Sequence, residues 1–411
     1  MDFTPDATTE ALRATLLTFM ETAVYPVEHH FHDRPAAGAA QWERPAVMET
    51  LKRRARAAGL WNLFLPDDEH GAGLTNLQYA PLAEITGWSP EIAPEALNCN
   101  PPDTGNMELL AMFGTPDQKR EWLEPLLAGD IRSAYCMTEP NVSSSDASNL
   151  VTTVTDDGDH WIVNGRKWWS TGAMSSDCRV LIVMGVSDPD ADARGRHSLV
   201  LVPRDTPGVT VERGLQIFGF VHGAHGGHAE IHFDNVRVPK SHLLGDRGRG
   251  QALAQARLGP GRIHHCMRMI GMAERALDLM CRRANERTAF GKHLAEQGTV
   301  QHWIAQSRVR IDQLRLYVLR AAWLIDTVGA RAARTEISAI KVAAPDTVEW
   351  IVDKAIQVHG AGGMTQDHPL AMLWAQARTM RFIDGADEVH RMVVATTELR
   401  KRSAVDATIG S

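Results

Sequence analysis

Ala229-Glu-Ile-His-Phe-Asp-Asn-Val-Arg-Val238 alternates apolar and polar residues through Ile231, Phe233 and Val236, the period of a strand with one face buried. Similar short runs precede it. Trp161-Ile-Val163 follows an Asp-Asp-Gly-Asp turn, Cys178 to Val186 is apolar, and so is His197 to Val202. From about Arg132 to Gly245 the pattern predicts an antiparallel sheet or small barrel. On either side the period becomes helical. Leu12, Leu16, Phe19, Met20 and Val24 share one face, Val47, Met48, Leu51 and Ala55 a second, and Trp122, Leu123, Leu126 and Leu127 a third. Loop signals punctuate these helices at Leu65 to Gly73 and Asn98 to Gly105. Downstream, Ile263, Met267, Ile270, Ala273, Leu277 and Met280 form a long face, and Val300, Trp303, Ile304, Ile311, Leu314 and Val318 another. The order predicts an α+β chain without the alternation of a parallel sheet: an N-terminal all-α domain at 1–131, a β domain at 132–245, an antiparallel four-helix bundle at 246–402 and a frayed tail at 403–411.

The 411 residues are 44% hydrophobic and 23% charged, ordinary for a globular protein. A net charge of -7 gives no general attraction to nucleic acid or an anionic membrane, so an anionic ligand needs local Arg or Lys. Cys99, Cys136, Cys178, Cys266 and Cys281 are dispersed, as reduced buried thiols are, and lack zinc-site spacing. The acidic start carries no signal-peptide pattern and no apolar run would span a bilayer, so the expected place is the cytoplasm. His29, His30 and His32 have no matching carboxylate or Cys, and no metal is expected. Gly219 to Gly227 reads as a hairpin or connection, and Gly291-Lys292-His293 lacks the rest of a phosphate loop.

Four stretches carry possible chemistry. Arg378-Thr-Met-Arg-Phe-Ile-Asp-Gly-Ala-Asp-Glu-Val-His-Arg391 interrupts a helical pattern at Asp384-Gly385. It reads as a helix-loop-helix corner whose restarted helix is served by Asp387 and Glu388. It also reads as a general base, with apolar Phe382 and Ile383 holding the Asp384 carboxylate against a pocket and raising its pKa. Ala134 to Asp146 crowds hydroxyls into a turn, and Asn164 to Gly172 sets Trp168 and Trp169 beside Ser170 and Thr171. Together they suit a flat polar cofactor; singly, each is also explained as a strand-end turn or aromatic core. Glu286-Arg-Thr-Ala-Phe-Gly-Lys292, followed by Gln301, places Arg287 where it either binds a phosphate through two hydrogen bonds or lies on the surface.

In this order the motifs resemble the acyl-CoA dehydrogenases. Tyr135-Cys-Met-Thr-Glu-Pro with its Ser-Ser-Asp, Arg287-Thr-Ala-Phe-Gly-Lys, Gln357-Val-His-Gly-Ala-Gly-Gly363 and the Asp384-Gly385 loop are similar to the family's signatures, from about Leu12 to Arg400. Trp168-Trp-Ser and Gly226-Gly-His-Ala-Glu-Ile-His-Phe233 resemble the branch of family member 11. The resemblance implies a helical, β, helical fold holding FAD. Tyr135, Met137, Thr138 and Ser143, Ser144 and Ser145 would line the flavin ring and the substrate cleft, with Trp168 to Thr171 on the flavin. Arg287, Phe290 and Gln301 would reach the FAD of a neighbouring subunit, and Gln357, Gly360, Gly362 and Gly385 would approach it, implying a homodimer or homotetramer. Asp384 would be the base that takes the α-proton of an acyl-CoA, with Arg262 beside it and Ser145 near the substrate. An electron-transferring flavoprotein would take the electrons.

Three departures accompany the resemblance. The usual base is Glu, about 1.5 Å longer, and the alternative family position is Gly261; the turn after Glu139-Pro140 is one residue longer than usual; and His359 and Ala361 alter the later Gly-rich motif. An Asp base also resembles nitroalkane oxidases, so a flavin or acyl-CoA oxidase is the alternative. A non-catalytic scaffold subunit is the other.

Overall fold

The computed structural model of the protein describes residues 3–32, 38–66 and 69–409. Asp67 and Asp68 of the Leu65 to Gly73 loop and the side chain of His32 lie outside the described residues. The chain forms two units, one of residues 1–20, 75–90 and 262–411, the other of 21–74 and 91–261.

The second unit is built on a sheet of strands β1 (Arg132–Cys136), β2 (Thr153–Asp157), β3 (His160–Thr171), β4 (Cys178–Val186), β5 (His197–Pro203), β6 (Val209–Leu215), β7 (His228–Pro239) and β8 (Leu243–Leu244). The order is β6-β7-β3-β2-β4-β5-β8, with β1 on β4. The expectation of a purely antiparallel sheet needs correction. β1 runs parallel to β4, as does β2 at its one contact, because neither enters by a hairpin from β4. Four strands escape the periodicity: β1, β2 and β8 are short, only Val154 of β2 is buried, and β6 is largely open to solvent.

Along β7 the alternation slips because the strand carries one extra residue. Gly165 opposes Phe233 while Val163 opposes Val236, and Asn235 takes a left-handed φ of 49° with its amide donating to Asn164 Oδ1 at 2.7 Å. The bulge restores Val236 and Val238 to the face of Ile231 and Phe233, where all four join the core of Val154, Trp161, Val163, Leu181, Val183, Val200 and Val202.

Beside the sheet lies a cluster of buried charge. The Glu95 carboxylate is fully buried and receives Arg44, Lys52 at 3.1 Å and Arg132 at 2.8 Å; Arg132 also reaches Asp103 at 2.7 Å. Burial pushes Glu95 up, but the three cations, Arg132 foremost, more than reverse this and hold the group well below the usual carboxylate range.

The first unit is helical. Its long helices are Gly298–Val328, Arg334–His359, Asp387–Ile409 and residues 262–286 of Gly250–Glu286, packed with Ala7–Phe19, Asn76–Thr86 and Leu370–Thr379. A Cβ on Gly271 would sit 1.9 Å from Glu84 O and one on Gly87 1.9 Å from Arg268 O, so these two helices touch by backbone and both positions require glycine. Asp326 caps the Asn76–Thr86 helix, accepting from Asn76 N at 3.0 Å and Leu77 N at 2.9 Å. The helical pattern that leads into the Asp384-Gly385 corner is not one helix. It stops at His359, where Gly360 turns left-handed at φ 65°, and resumes at Leu370 after Pro369. The last helix runs to Ile409, into the 403–411 stretch where fraying was expected. No described helix is long and apolar enough to cross a membrane.

Removing one side of the Glu95 cluster leaves buried cations unpaired. Glu95→Ala is expected to cost about 3–5 kcal/mol in a urea unfolding titration at neutral pH, with the loss confined to the unit that contains the sheet.

Candidate functional site

Each unit carries its own share of the residues singled out in the sequence. In the sheet unit the chain leaving β1 is tied to β3. Lys167, wholly buried, donates from Nζ to Met137 O and to Glu139 Oε1, both at 2.8 Å, and Glu139 accepts the amides of Val151 at 2.8 Å and Thr152 at 2.9 Å. Trp168 N donates to Thr138 O at 3.0 Å. Among the serines, Ser144 accepts the Glu139 amide at 2.9 Å and serves the turn, whereas Ser143 and Ser145 are exposed. Tyr135 is overlain by the Arg257 guanidinium at 4.3 Å, and burial pushes its phenol up to about 12.

The pairing of β3 with β7 slips between Lys167 and Ser170. There Trp169 adopts a left-handed φ of 53° and stays 39% exposed, its ring 6.1 Å from that of Trp168 and 5.6 Å from His228. Ser170 turns inward and is buried, while Thr171 Oγ1 lies 2.9 Å from His228 Nδ1.

In the helical unit Asp384 stands between two helices at φ 58°, its side chain 14% exposed. Asp enters this region more readily than most non-glycine residues, and neighbouring side chains hold the loop there. Arg262 Nε donates to Asp384 O at 3.0 Å and His390 Nε2 donates to the same oxygen at 3.2 Å. Burial pushes His390 down to about 4, which keeps the ring neutral. Lys341, also buried, donates from Nζ to Met380 O at the start of the loop. The Asp384 carboxylate lies 3.5 Å from His265 Nε2. The expected apolar walls are not both there: Phe382 is 62% exposed, with Arg378 over its ring at 4.8 Å, and only Ile383 is half-buried. Asp387 opens the following helix, yet its carboxylate is held by Arg381 at 2.8 Å rather than by helix amides.

Elsewhere in that unit a small hairpin pairs Thr288–Ala289 with Lys292–His293. Arg287 is exposed at its base, and Phe290, at its tip, is wholly exposed with φ 53°. Gln301 is exposed and donates to Ala295 O at 3.0 Å. Gln357 and Gly360 are exposed and Gly362 half-buried, and a Cβ on either glycine would meet nothing within 4 Å. Among the described residues no group of His, Cys, Asp or Glu is arranged to hold a metal ion.

The chain matches the acyl-CoA dehydrogenase N-terminal domain over residues 6–130, the middle domain over 134–236 and the C-terminal domain over 248–399. It is 54% identical to Mycobacterium tuberculosis FadE2, named as an acyl-CoA dehydrogenase, over 411 residues and the full length of both. This chain belongs to the acyl-CoA dehydrogenase family. Human acyl-CoA dehydrogenase family member 11 is 48% identical over 94% of this chain, which spans about half (49%) of that relative. A Mycobacterium abscessus structure described as an acyl-CoA dehydrogenase superposes with a TM-score of 0.94 at 52% identity, covering 97% of this chain and all of that one. A glutaryl-CoA dehydrogenase from Mycobacterium smegmatis, solved with FADH2, shares the fold at a TM-score of 0.80 and 22% identity over 95% of this chain and 94% of that one. The N-terminal helical, middle β and C-terminal helical arrangement is that of the family, and the protein is an oxidoreductase of it.

Sequence reasoning misses the residues that hold this family member's loops: Lys167 and Glu139, Arg257, His228, His265, His390 and Lys341. His265 was within reach, since it follows Arg262 by three positions on one helix face. Glu139 and Lys167 each lie in a stretch singled out in the sequence, but nothing local signals that they pair across 28 positions. Gly385 has φ 108°, and a Cβ there would lie 3.0 Å from His390 Nε2. Gly385→Ala is expected to cost about 1–3 kcal/mol locally, read as faster amide exchange at residues 384–387 with exchange in the long helices unaltered.

Proposed function

We propose that the protein is a FAD-dependent acyl-CoA dehydrogenase that forms a trans-2-enoyl-CoA, a step of fatty-acid β-oxidation, in the cytoplasm, as a homodimer or homotetramer, with an electron-transferring flavoprotein as acceptor. The observation that carries the reading is the Asp384 loop: a strained backbone pinned at its carbonyl by Arg262 and His390, presenting a largely buried carboxylate at the family's base position.

The residues present suit a flavin. Trp169 keeps part of its indole in the open at a strained backbone position, the geometry of a ring waiting for a stacking partner. Tyr135, Met137, Thr138, Trp168, Ser170 and Thr171, with Ser143 or Ser145, would line the isoalloxazine. Arg287, Phe290 and Gln301 would reach a neighbouring subunit's FAD, while Gln357, Gly360, Gly362 and Gly385 would allow close backbone approach. When bound, the flavin supplies the two-electron acceptor for the hydride leaving the β-carbon.

The chain's own residues do the rest. The Asp384 carboxylate takes the α-proton on an oxygen. Its backbone amide would donate to the thioester oxygen and stabilise the enolate charge. Arg262 and His390 fix where that amide and carboxylate point. The shorter Asp requires either the loop or the substrate to sit closer than with a Glu.

Asp384 is also what favours a second reading, a flavin oxidase of the nitroalkane or acyl-CoA type. Hydrogen peroxide formed in step with turnover would establish it over the dehydrogenase.

Anaerobic titration with acyl-CoA thioesters, followed in the visible absorbance, tests the main reading. One chain-length class is expected to bleach the flavin. Asp384→Asn is expected to retain the flavin and slow bleaching by about 10²–10⁴; unimpaired bleaching would move the base elsewhere.

A further inference from the structure

The end of β3 meets the start of β7, with Thr171 and His228 paired in register. Beyond the 2.9 Å contact of Thr171 Oγ1 with His228 Nδ1, His228 Nε2 lies 3.3 Å from His222 Nδ1. Both imidazoles are almost fully buried, at 6% and 5% exposure. Burial pushes His222 down to about 4, and burial with His222 and His225 nearby holds His228 well below its ordinary value. At neutral pH each ring therefore has one N–H. His222 Nε2 is buried and meets no protein hydrogen-bond partner among the described residues.

Such a chain runs in one of two directions. In the first, His222 Nδ1–H donates to His228 Nε2, His228 Nδ1–H donates to Thr171 Oγ1, and His222 Nε2 is left as a bare lone pair. In the second every donor is reversed, and His222 keeps a buried N–H with nothing to receive it. An orphaned buried donor is rarer and costlier than an under-used acceptor, so the first direction is the stable one. It leaves the Thr171 proton pointing away from His228, available to a ligand.

We propose that His228 and His222 are positioning residues that hold the Thr171 hydroxyl as a one-way donor toward the flavin, biasing the bound flavin toward its oxidised form; this rests on the FAD reading above. A flavin bound with N5 toward Thr171 would offer an acceptor there when oxidised. When reduced, that nitrogen would bear a hydrogen and be a donor. For Thr171 to turn and accept it, either its own proton loses its partner or the relay reverses and buries an unpaired N–H on His222. No proton leaves the relay; only its direction matters.

The test is the reduction potential of the purified flavoprotein, equilibrated anaerobically with a reference dye. His228→Leu is expected to raise the ratio of reduced to oxidised flavin about tenfold at fixed dye potential, a positive shift of about 30 mV for a two-electron couple. His228→Asn, whose amide N–H replaces the Nδ1 donor, is expected to stay near the parent. In a Thr171→Val background, adding His228→Leu is expected to shift nothing further. Flavin bound with its potential unaltered in His228→Leu overturns the relay alone, as does an equal shift in His228→Asn or in the Thr171→Val background. A parent protein that binds no FAD overturns the functional reading, and the relay with it.

Discussion

A buried cation gripping a main-chain carbonyl is the interaction on which the functional parts of both units depend. In the sheet unit Lys167 holds Met137 O; in the helical unit Lys341 holds Met380 O and Arg262 holds Asp384 O. The two lysines are buried and Arg262 is half-buried, and taking a charge out of water is unfavourable unless the charge is well satisfied. Lys167 is satisfied by Glu139, whose carboxylate gathers two further amides, so one ion pair joins three separate pieces of chain. The return is placement: loops held this way keep a fixed shape that loop residues alone do not specify.

That arrangement bears on the backbone of the two stretches it holds, where Trp169 and Asp384 have left-handed φ angles. Such angles persist only where the surroundings over-determine them. Around Asp384 the determinants are visible as Arg262, His390 and Lys341; around Trp169 they are the slipped β3–β7 pairing and the Trp168 amide bonded to Thr138.

Much of the architecture was legible because burial imposes a period. The strands from Cys178, His197 and Ala229 and the long helical faces are periodic, and the structure has them there. β6 was not legible because most of it is open to solvent and its pattern is correspondingly polar. The break at His359 was hidden because apolar residues continue in step on both sides of Gly360. At the site, Asp384 was legible in the helical break where it stands and Trp169 in its run of aromatic and hydroxyl residues, whereas the side chains that hold these stretches act across long sequence separations, Lys167 on Met137 and Lys341 on Met380, where no local pattern exists.

The cluster around Glu95 has a consequence for behaviour in acid. With the carboxylate ionised, Arg44, Lys52 and Arg132 are drawn inward by a shared counter-charge. Because the native carboxyl is held far below its unfolded value, this stability is intact above about pH 4.5 and drains away as pH falls toward the native value. Once the proton arrives, the same cations face one another with less between them. The joint then behaves as a latch that acid turns, by degrees, into a wedge among its own cations.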